Sequence, residues 1–505
     1  MVAYVVVFGC SLVAGLVLTP LVRWVARRLR VLDLPDGFRK LQERPVPRMG
    51  GIAIFIGLFA SLWVSSRLHH SVVLPRCFGN GDFSSVFLGA AAVLVIGLWD
   101  DARGLGARTK FALLTAVAAG MCVAGHTIET ISNPFGRDIV LGYWAVPATL
   151  FWFLACMNAM NLIDGLDGLS GGVAVFAAAT MFATSALFQN GNIAFSALAL
   201  AGVGIGFLVF NLPPASIFLG DSGSYLLGFL VAYIGLRGSQ KANTVVALLI
   251  PVIALGLPVL DTALAILRRW ARALPLFTSD GQHIHHKLLG RGLSHWQAVL
   301  IMYAACIVLG GFALALTAAR DLSAAGVLLL LTVATVLAVR VVGREEIRLA
   351  KNRLIHGLAE KRRATGQRAA GHEATERMRQ AETIAALWQA FAAAAERMEL
   401  DRAVMTMTPP RPLPSRRRSW RTFRWRRDAI SFDSGEVSAS WSASFPLIAG
   451  GAKLGELEVN KSTNGCPLAP ELPEMLQLLS SGLADNISRV RPDAADEQRL
   501  RVQAG

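Results

Sequence analysis

Eleven apolar runs, each close to the length of a membrane-spanning helix, succeed one another through residues 1–342: near 2–22, 50–66, 84–99, 109–128, 144–162, 170–188, 193–211, 220–236, 243–267, 297–317 and 322–342. A span needs about 20 mostly apolar residues, and in lipid the backbone must satisfy its own hydrogen bonds. The runs therefore predict an all-α polytopic membrane protein with about eleven transmembrane helices. Composition agrees: 54% of the chain is hydrophobic and 16% is charged, against roughly a quarter charged in soluble domains. An ordinary soluble enzyme is excluded on that ground. The six cysteines are scattered and show no C-x-x-C spacing, so neither zinc nor a redox pair is indicated.

Basic residues predict the orientation. Arg23, Arg27, Arg28 and Arg30 follow the first run rather than precede it, which reads as an uncleaved anchor with its N-terminus outside. By alternation, the loops 23–49, 100–108, 163–169, 212–219 and 268–296 face inward. Three of these loops, 23–49, 100–108 and 268–296, hold most of the basic loop residues, as the positive-inside rule requires. The expected setting is multi-pass in a membrane, with the working face toward the cytoplasm. A net charge of +15 suits an anionic leaflet; nucleic acid is not expected as a partner.

The acidic residues divide unevenly. Fourteen of the 34 Asp and Glu lie in residues 1–342, and 20 lie in the last 163. The organisation expected is a membrane-embedded domain over 1–342, a cytoplasmic helical stalk over 343–408, an Arg/Trp-rich linker over 409–428, and a small α+β domain over 429–505. Ile384, Leu387, Trp388, Phe391 and Met398 recur at helical spacing. Val437, Ala439, Trp441, Ala443 and Phe445 alternate as a strand does. Leu454, Leu457 and Val459 suggest a second strand, and 471–490 a closing helix. Arginines surround Trp420 and Trp425 in the linker, a composition suited to a lipid interface, to nucleic acid, or simply to solvent.

Ionisable groups are expensive near lipid, so the few that occur there point to function. Asp100 and Asp101 are adjacent at the inner end of the third run, with Lys110 just beyond. Two such carboxylates repel unless a cation or proton intervenes; alone, they read equally as solvated charges marking a helix end. Asn158, Asn161 and Asp164 step by three and share one arc of a helix, and Gly165 and Gly168 permit a turn that returns Asp167 to the same cavity. In F-L-G-D-S-G-S, residues 218–224, Asp221 opens a span where small neighbours admit a phosphate; the bland alternative is an N-cap. Asp261 lies two turns before Arg268 and Arg269, which could be an ion pair easing the helix end. In D-G-Q-H-I-H-H, three of nine histidines (His283, His285, His286) fall within four residues. They could bind metal or donate to phosphate oxygens. The basic loop 39–51, with Lys40, suits phosphates or anionic lipid.

Under the predicted topology, ten of the 14 membrane-part acids face inward. A transporter more often places such groups at the bilayer midplane, so a phosphorylated-solute transporter is the rival and an interfacial catalyst the favoured reading. The oxygen-rich, thiolate-free groups point to Mg²⁺, with Mn²⁺ as a substitute.

The motifs W-D-D-x-R-G-L, N-x-x-N-L-I-D-G-L-D-G-L, F-L-G-D-S-G-S, P-V-L-D-T and D-x-x-H-I-H-H, in that order over roughly 45–290, resemble the polyprenyl-phosphate N-acetylhexosamine-1-phosphate transferases. The H-I-H-H form resembles the branch that uses UDP-N-acetylglucosamine and undecaprenyl phosphate. The resemblance implies transfer of a sugar-1-phosphate from a UDP-sugar to undecaprenyl phosphate, releasing UMP and starting a lipid-linked surface glycan. Another UDP-N-acetylhexosamine, or phospho-N-acetylmuramoyl-pentapeptide, is the alternative donor. It implies that Asp221 binds Mg²⁺ with Asp100 and Asp101, and that Asp164, Asp167 and His283 belong to the catalytic set. Asn158, Asn161, Asp164 and Asp167 would hold nucleotide and sugar. His283, His285, His286, Arg268 and Arg269 would contact diphosphate or sugar, with Lys40, Lys110 and Asp261 in the binding set. A homodimer stays open. One departure concerns the first loop, where the family often reads R-K-x-H and this chain has Gln42, which supplies no cation. The tail pattern F-P-L-I followed by L-G-E-L-E-V resembles the end of a GAF-type sensory domain.

Overall fold

A computed structural model describes residues 1–33, 45–69, 72, 82–131, 139–239, 249–274, 283–318, 322–408, 421–427, 440–462 and 471–490. Apolar helices stand at all eleven predicted places: α1 (Val2–Arg28), α2 (Gly50–Leu68), α3 (Phe83–Arg103), α4 (Ala107–Val123), α5 (Ala145–Ile163), α6 (Leu169–Leu187), α7 (Gly191–Asn211), α8 (Gly220–Ser239), α9 (Leu249–Ala254) with α10 (Gly256–Ala271), then α11 (Ile284–Gly290, a short helix between runs), α12 (His295–Ala318) and α13 (Leu322–Val342). Seven of them are long and apolar enough to cross a membrane alone. An eighth follows if the 82° bend between Gly326–Val342 and Arg344–Ile355 lies within one span. The shortfall from eleven has visible causes. Helix α4 has 17 residues, the 243–267 run is broken at Leu255 into two short helices, and α8 carries Asp221, Arg237 and several polar or small residues among its 20.

The first compact unit is Met1–Ala350. At its centre is α8, whose residues from Ser222 to Leu236 are buried on every side. A helix apolar all round has to be wrapped by others, and α2, α3, α5 and α6 pack against it. Close approach depends on small residues. A Cβ on Gly97 of α3 would lie 2.3 Å from the Ser222 Cα, so glycine there allows α3 to rest on the opening turn of α8. Short strands β1 (Leu32–Asp33) and β2 (Val46–Pro47) pair antiparallel beside this turn, and β3 (Thr130–Ile131) and β4 (Ile139–Val140) form a second short antiparallel pair. The Pro47 carbonyl accepts the Phe218 N–H at 2.8 Å, and the Phe218 carbonyl accepts the Gly50 N–H at 3.0 Å.

The second compact unit is Lys351–Gly505. The boundary falls inside α14 (Arg344–Gln380), a continuous charged helix. Helix α15 (Ile384–Arg397) begins at Thr383, whose Oγ1 accepts the Ala386 N–H. A four-stranded antiparallel sheet has the order β6–β5–β8–β7, formed by β5 (Arg402–Met407), β6 (Arg421–Arg426), β7 (Ser440–Ala449) and β8 (Ala452–Ser462). Its apolar face, with Met405, Leu457 and Phe445 in register, is covered together with α15 and α16 (Glu471–Val490).

The expected strands over Trp441–Phe445 and Leu454–Val459 and the closing helix are present; Val437 and Ala439 lie outside the described residues. Two further strands fall where stalk and linker were expected. Alternation explains them: Phe423 and Trp425 sit on the apolar face of β6 while Arg424 and Arg426 are exposed. Trp425 therefore packs in the sheet's core layer, which removes it from the proposed lipid-facing pair; Trp420 lies outside the described residues.

Substituting Gly97 by valine should destabilise the first unit by about 1–3 kcal/mol through overpacking against backbone. Gly120→Ala, at a position with open space around it, should be neutral. Thermal unfolding of both variants in detergent micelles checks the pair.

Candidate active site

The site is built on the exposed N–H groups at the start of α8. Gly220 takes φ +72° there, and a Cβ would press on the Asp101 carboxylate at 2.6 Å. Asp101, in the last turn of α3, accepts the Asp221 N–H at 2.9 Å and the Ser222 N–H at 3.0 Å, one with each oxygen. A helix N-terminus leaves such donors unpaired and favours an anion. Asp100 points elsewhere: Oδ1 accepts the Leu105 N–H at 2.6 Å, and Oδ2 is ion-paired with Lys110. The Lys110 ammonium also donates to Asp221 Oδ2 at 2.8 Å and lies 5.6 Å above the Tyr225 ring. Asn161, in the last turn of α5, donates to Asp221 Oδ1 at 2.9 Å and to Ser224 Oγ at 3.0 Å. Tyr225 closes the ring by donating to Asn161 Oδ1 at 3.1 Å. Both Asp221 oxygens are thus held, one by a cation and one by an amide.

The other members of the Asn/Asp motif divide. Asp164 follows α5 directly. Burial, then the charges of Asp221, Asp101 and Asp167, push its carboxyl well above the usual range, against the pull of Arg48. Asp167 accepts the Ala215 N–H at 3.0 Å and so ties this turn to the loop ahead of α8. Asn158 donates to its own helix, to the Leu154 carbonyl at 2.8 Å.

A second cluster is organised by Asp261 on α10, which is buried. It accepts the Ile284 N–H at 2.9 Å and is bonded to His283 Nδ1 at 3.0 Å. His285 is also buried, its ring parallel to that of His283 at 5.8 Å and tilted against His286 at 4.2 Å. Burial foremost, and then His286, push the His285 imidazole down to about 3. This ring joins the two clusters, because a Cβ on Gly165 would lie 2.3 Å from its Nε2. Glycine after Asp164 is what lets the histidine segment approach. Arg268 is buried rather than open to substrate, and its NH1 donates to Glu346 at 2.7 Å. Arg269 beside it is partly buried.

The structure thus brings together Asp100, Asp101, Lys110, Asn161, Asp164 and Asp221, and places Asp261, His283, His285 and His286 next to them. Lys40, Gln42 and Asp280 lie outside the described residues. Sequence reasoning missed Ser224, Tyr225, Arg48 and Glu346. Ser224 and Tyr225 had a signal, since they stand three and four residues after Asp221 on one helical arc. Glu346 had none, as it lies in a charged stretch that reads as solvated.

The profile of glycosyl transferase family 4 matches residues 83–239. A Bacillus subtilis protein named as an undecaprenyl-phosphate N-acetylglucosaminyl 1-phosphate transferase is 37% identical over 306 residues, covering 60% of this chain and 82% of that one. The chain belongs to this family. A Mycobacterium tuberculosis decaprenyl-phosphate N-acetylglucosaminephosphotransferase is 35% identical over 305 residues, covering 56% of this chain and 74% of its own. An Escherichia coli undecaprenyl-phosphate alpha-N-acetylglucosaminyl 1-phosphate transferase is 30% identical over 298 residues, covering 57% and 77%.

The stretch matched by the family profile contains Asp100, Asp101, Lys110, Asn161, Asp164 and Asp221, the whole first cluster. Among the described residues, no three carboxylate, imidazole or thiolate groups gather as a metal cage. A hard cation held by one or two carboxylates, with phosphate oxygens and water completing its shell, needs no cage. Asp100 and Asp221 face each other across Lys110, and their carboxylates are hard oxygen donors of the kind such an ion takes.

The histidine cluster makes a pH prediction. An unfolded histidine titrates near 6.5, whereas His285 in the fold stays neutral down to about 3. Its contribution to stability is complete above pH 6.5 and is lost as pH falls from 6.5 toward 3. The thermal midpoint of the protein in detergent should drop between pH 7.5 and pH 5, and His285→Gln should flatten that slope.

Proposed function

We infer that this protein transfers N-acetylglucosamine-1-phosphate from UDP-N-acetylglucosamine to undecaprenyl phosphate, with release of UMP, as the first step of a lipid-linked surface glycan. The observation that carries this reading is the convergence of distant motifs on the start of α8, together with the activities for which the relatives are named. An oxygen of the lipid phosphate forms a new bond to the sugar-bearing phosphorus. The bond from that phosphorus to the bridging oxygen breaks, and UMP leaves with the electron pair. Two anions must meet, so cations have to neutralise charge and hold an in-line geometry.

The chain's own groups suit this division of work. Lys110 presents a fixed ammonium between Asp100 and Asp221. Asn161 and Tyr225 hold Asp221 in one orientation, and Asp101 steadies the helix turn on which Asp221 stands. Asp100 organises the acceptor side rather than serving first as a base, because the lipid phosphate is already mostly ionised near neutral pH. Mg²⁺, when held by Asp221 and Asp100 in place of the Lys110 ammonium, would neutralise the diphosphate and orient the displacement. His286 is the exposed member of its cluster and the one placed to donate to sugar or phosphate. We place this face in the cytoplasm of a bacterial inner membrane, on the strength of the basic loops around it.

The purified protein should release UMP from UDP-N-acetylglucosamine only when undecaprenyl phosphate and Mg²⁺ are both present, and the lipid product should have the mass of undecaprenyl diphosphate-N-acetylglucosamine. UMP release without lipid would sink the transferase reading. Asp221→Asn should lower turnover by on the order of 100-fold, with the thermal midpoint near wild type. Near-normal turnover would remove Asp221 from the reaction.

A further inference from the structure

We propose that Glu346 is a positioning residue that fixes the histidine segment against the Asn/Asp loop. This inference rests on the transfer reading for its kinetic readout. Glu346 lies past the last apolar run, in the first turn of α14, yet its side chain is buried in the first unit. It accepts from Arg268 NH1 at 2.7 Å and from Lys287 Nζ at 2.6 Å. Lys287 also donates to the Val342 carbonyl at 2.9 Å, at the end of α13. The elbow between α13 and α14 is seated tightly on α10: a Cβ on Gly343 would lie 2.8 Å from Leu264 Cδ2.

Helix α11 shows why a tie is needed. It has seven residues, too few to hold its own direction. It is fastened at two points one turn apart. At its start, Asp261 of α10 holds His283 and the Ile284 N–H. A turn later, Glu346 and Val342 hold Lys287. His285 and His286 lie between the fastenings, and His285 rests on Gly165 next to Asp164. Arg268, on the same helix as Asp261, shares the Glu346 carboxylate. One anion therefore locks α10 and α11 together and sets where two histidines sit relative to the catalytic loop. Misplacement of a site by about an ångström, from a change remote from the chemistry, can cost up to 100-fold.

The test uses the full chain in detergent, with Glu346→Gln, Glu346→Asp and Lys287→Gln. Three quantities are measured: thermal midpoint, UDP-N-acetylglucosamine binding by calorimetry, and the KM and kcat of UMP release. Lys287→Gln leaves the buried Arg268–Glu346 pair intact and frees only α11, so it addresses the proposal even if Glu346→Gln does not fold. Lys287→Gln and folded Glu346→Gln should weaken donor binding and raise KM by roughly tenfold, more than kcat falls. Glu346→Asp should recover part of the loss. A merely structural role would instead lower the midpoint and the active fraction while leaving KM and binding at wild-type values; that result, or no change in Lys287→Gln, overturns the proposal. If the wild-type chain binds the donor but transfers nothing to undecaprenyl phosphate, the transfer reading falls and the binding data alone decide on Glu346. If it binds no donor, both readings fall.

Discussion

The site depends on one carboxylate lying across the opening of one helix. Asp101 binds the Asp221 and Ser222 amides in the opening turn of α8, the buried helix that α2, α3, α5 and α6 wrap. That interaction joins the inner end of α3 to the inner start of α8, so that the residue following each N–H has a defined place. Asp221 then needs only Lys110 and Asn161 to fix both of its oxygens. A charge buried against helix N–H groups is stabilised by bonds and by the macrodipole together. The two adjacent aspartates turn to separate partners: Asp101 to the amides of α8 and Asp100 to Lys110 and the Leu105 N–H.

The opposite end of the same two helices shows the contrast. Asp82 at the start of α3 is ion-paired with Arg237 at the end of α8, and the buried His126 lies 3.9 Å from the same carboxylate and bonds Ser85 at 2.8 Å. Those groups compensate one another. At the end that carries Asp164, burial first and then the nearby Asp221, Asp101 and Asp167 carboxylates push the Asp164 proton affinity up, against the pull of Arg48.

Much of this was legible in the sequence, for reasons that differ by element. Apolar runs marked the apolar helices of the first unit because a single segment in lipid satisfies its backbone by forming a helix. The break at Leu255 and the 17-residue α4 were less visible, since hydropathy averages over short interruptions. Asp100, Asp101, Asn161, Asp164 and Asp221 stood out because charge is rare in such segments. The roles within the cluster were not legible. Asn161 spends its amide on Asp221 and Ser224, and the Asp167 carboxylate accepts a loop N–H; pairings across 48 to 63 residues leave no local trace. Arg268 read as open to substrate because its partner lay beyond the last apolar run. In the second unit, strand β6 was hidden by its arginines: alternation was present, but the charged face made the segment resemble a linker.

The position of Glu346 has a bearing on where the enzyme ends. Hydropathy would set the boundary of the membrane-embedded part at residue 342, while the compact unit runs on to Ala350. A chain stopped at the end of its apolar sequence would keep every motif of the family and still leave Arg268 and Lys287 close together with no anion between them. Stripping one partner from a buried ion pair typically costs about 3–5 kcal/mol, comparable with the whole margin of many folds. The shortest working form of this protein is therefore limited by charge balance four residues past its last hydrophobic helix.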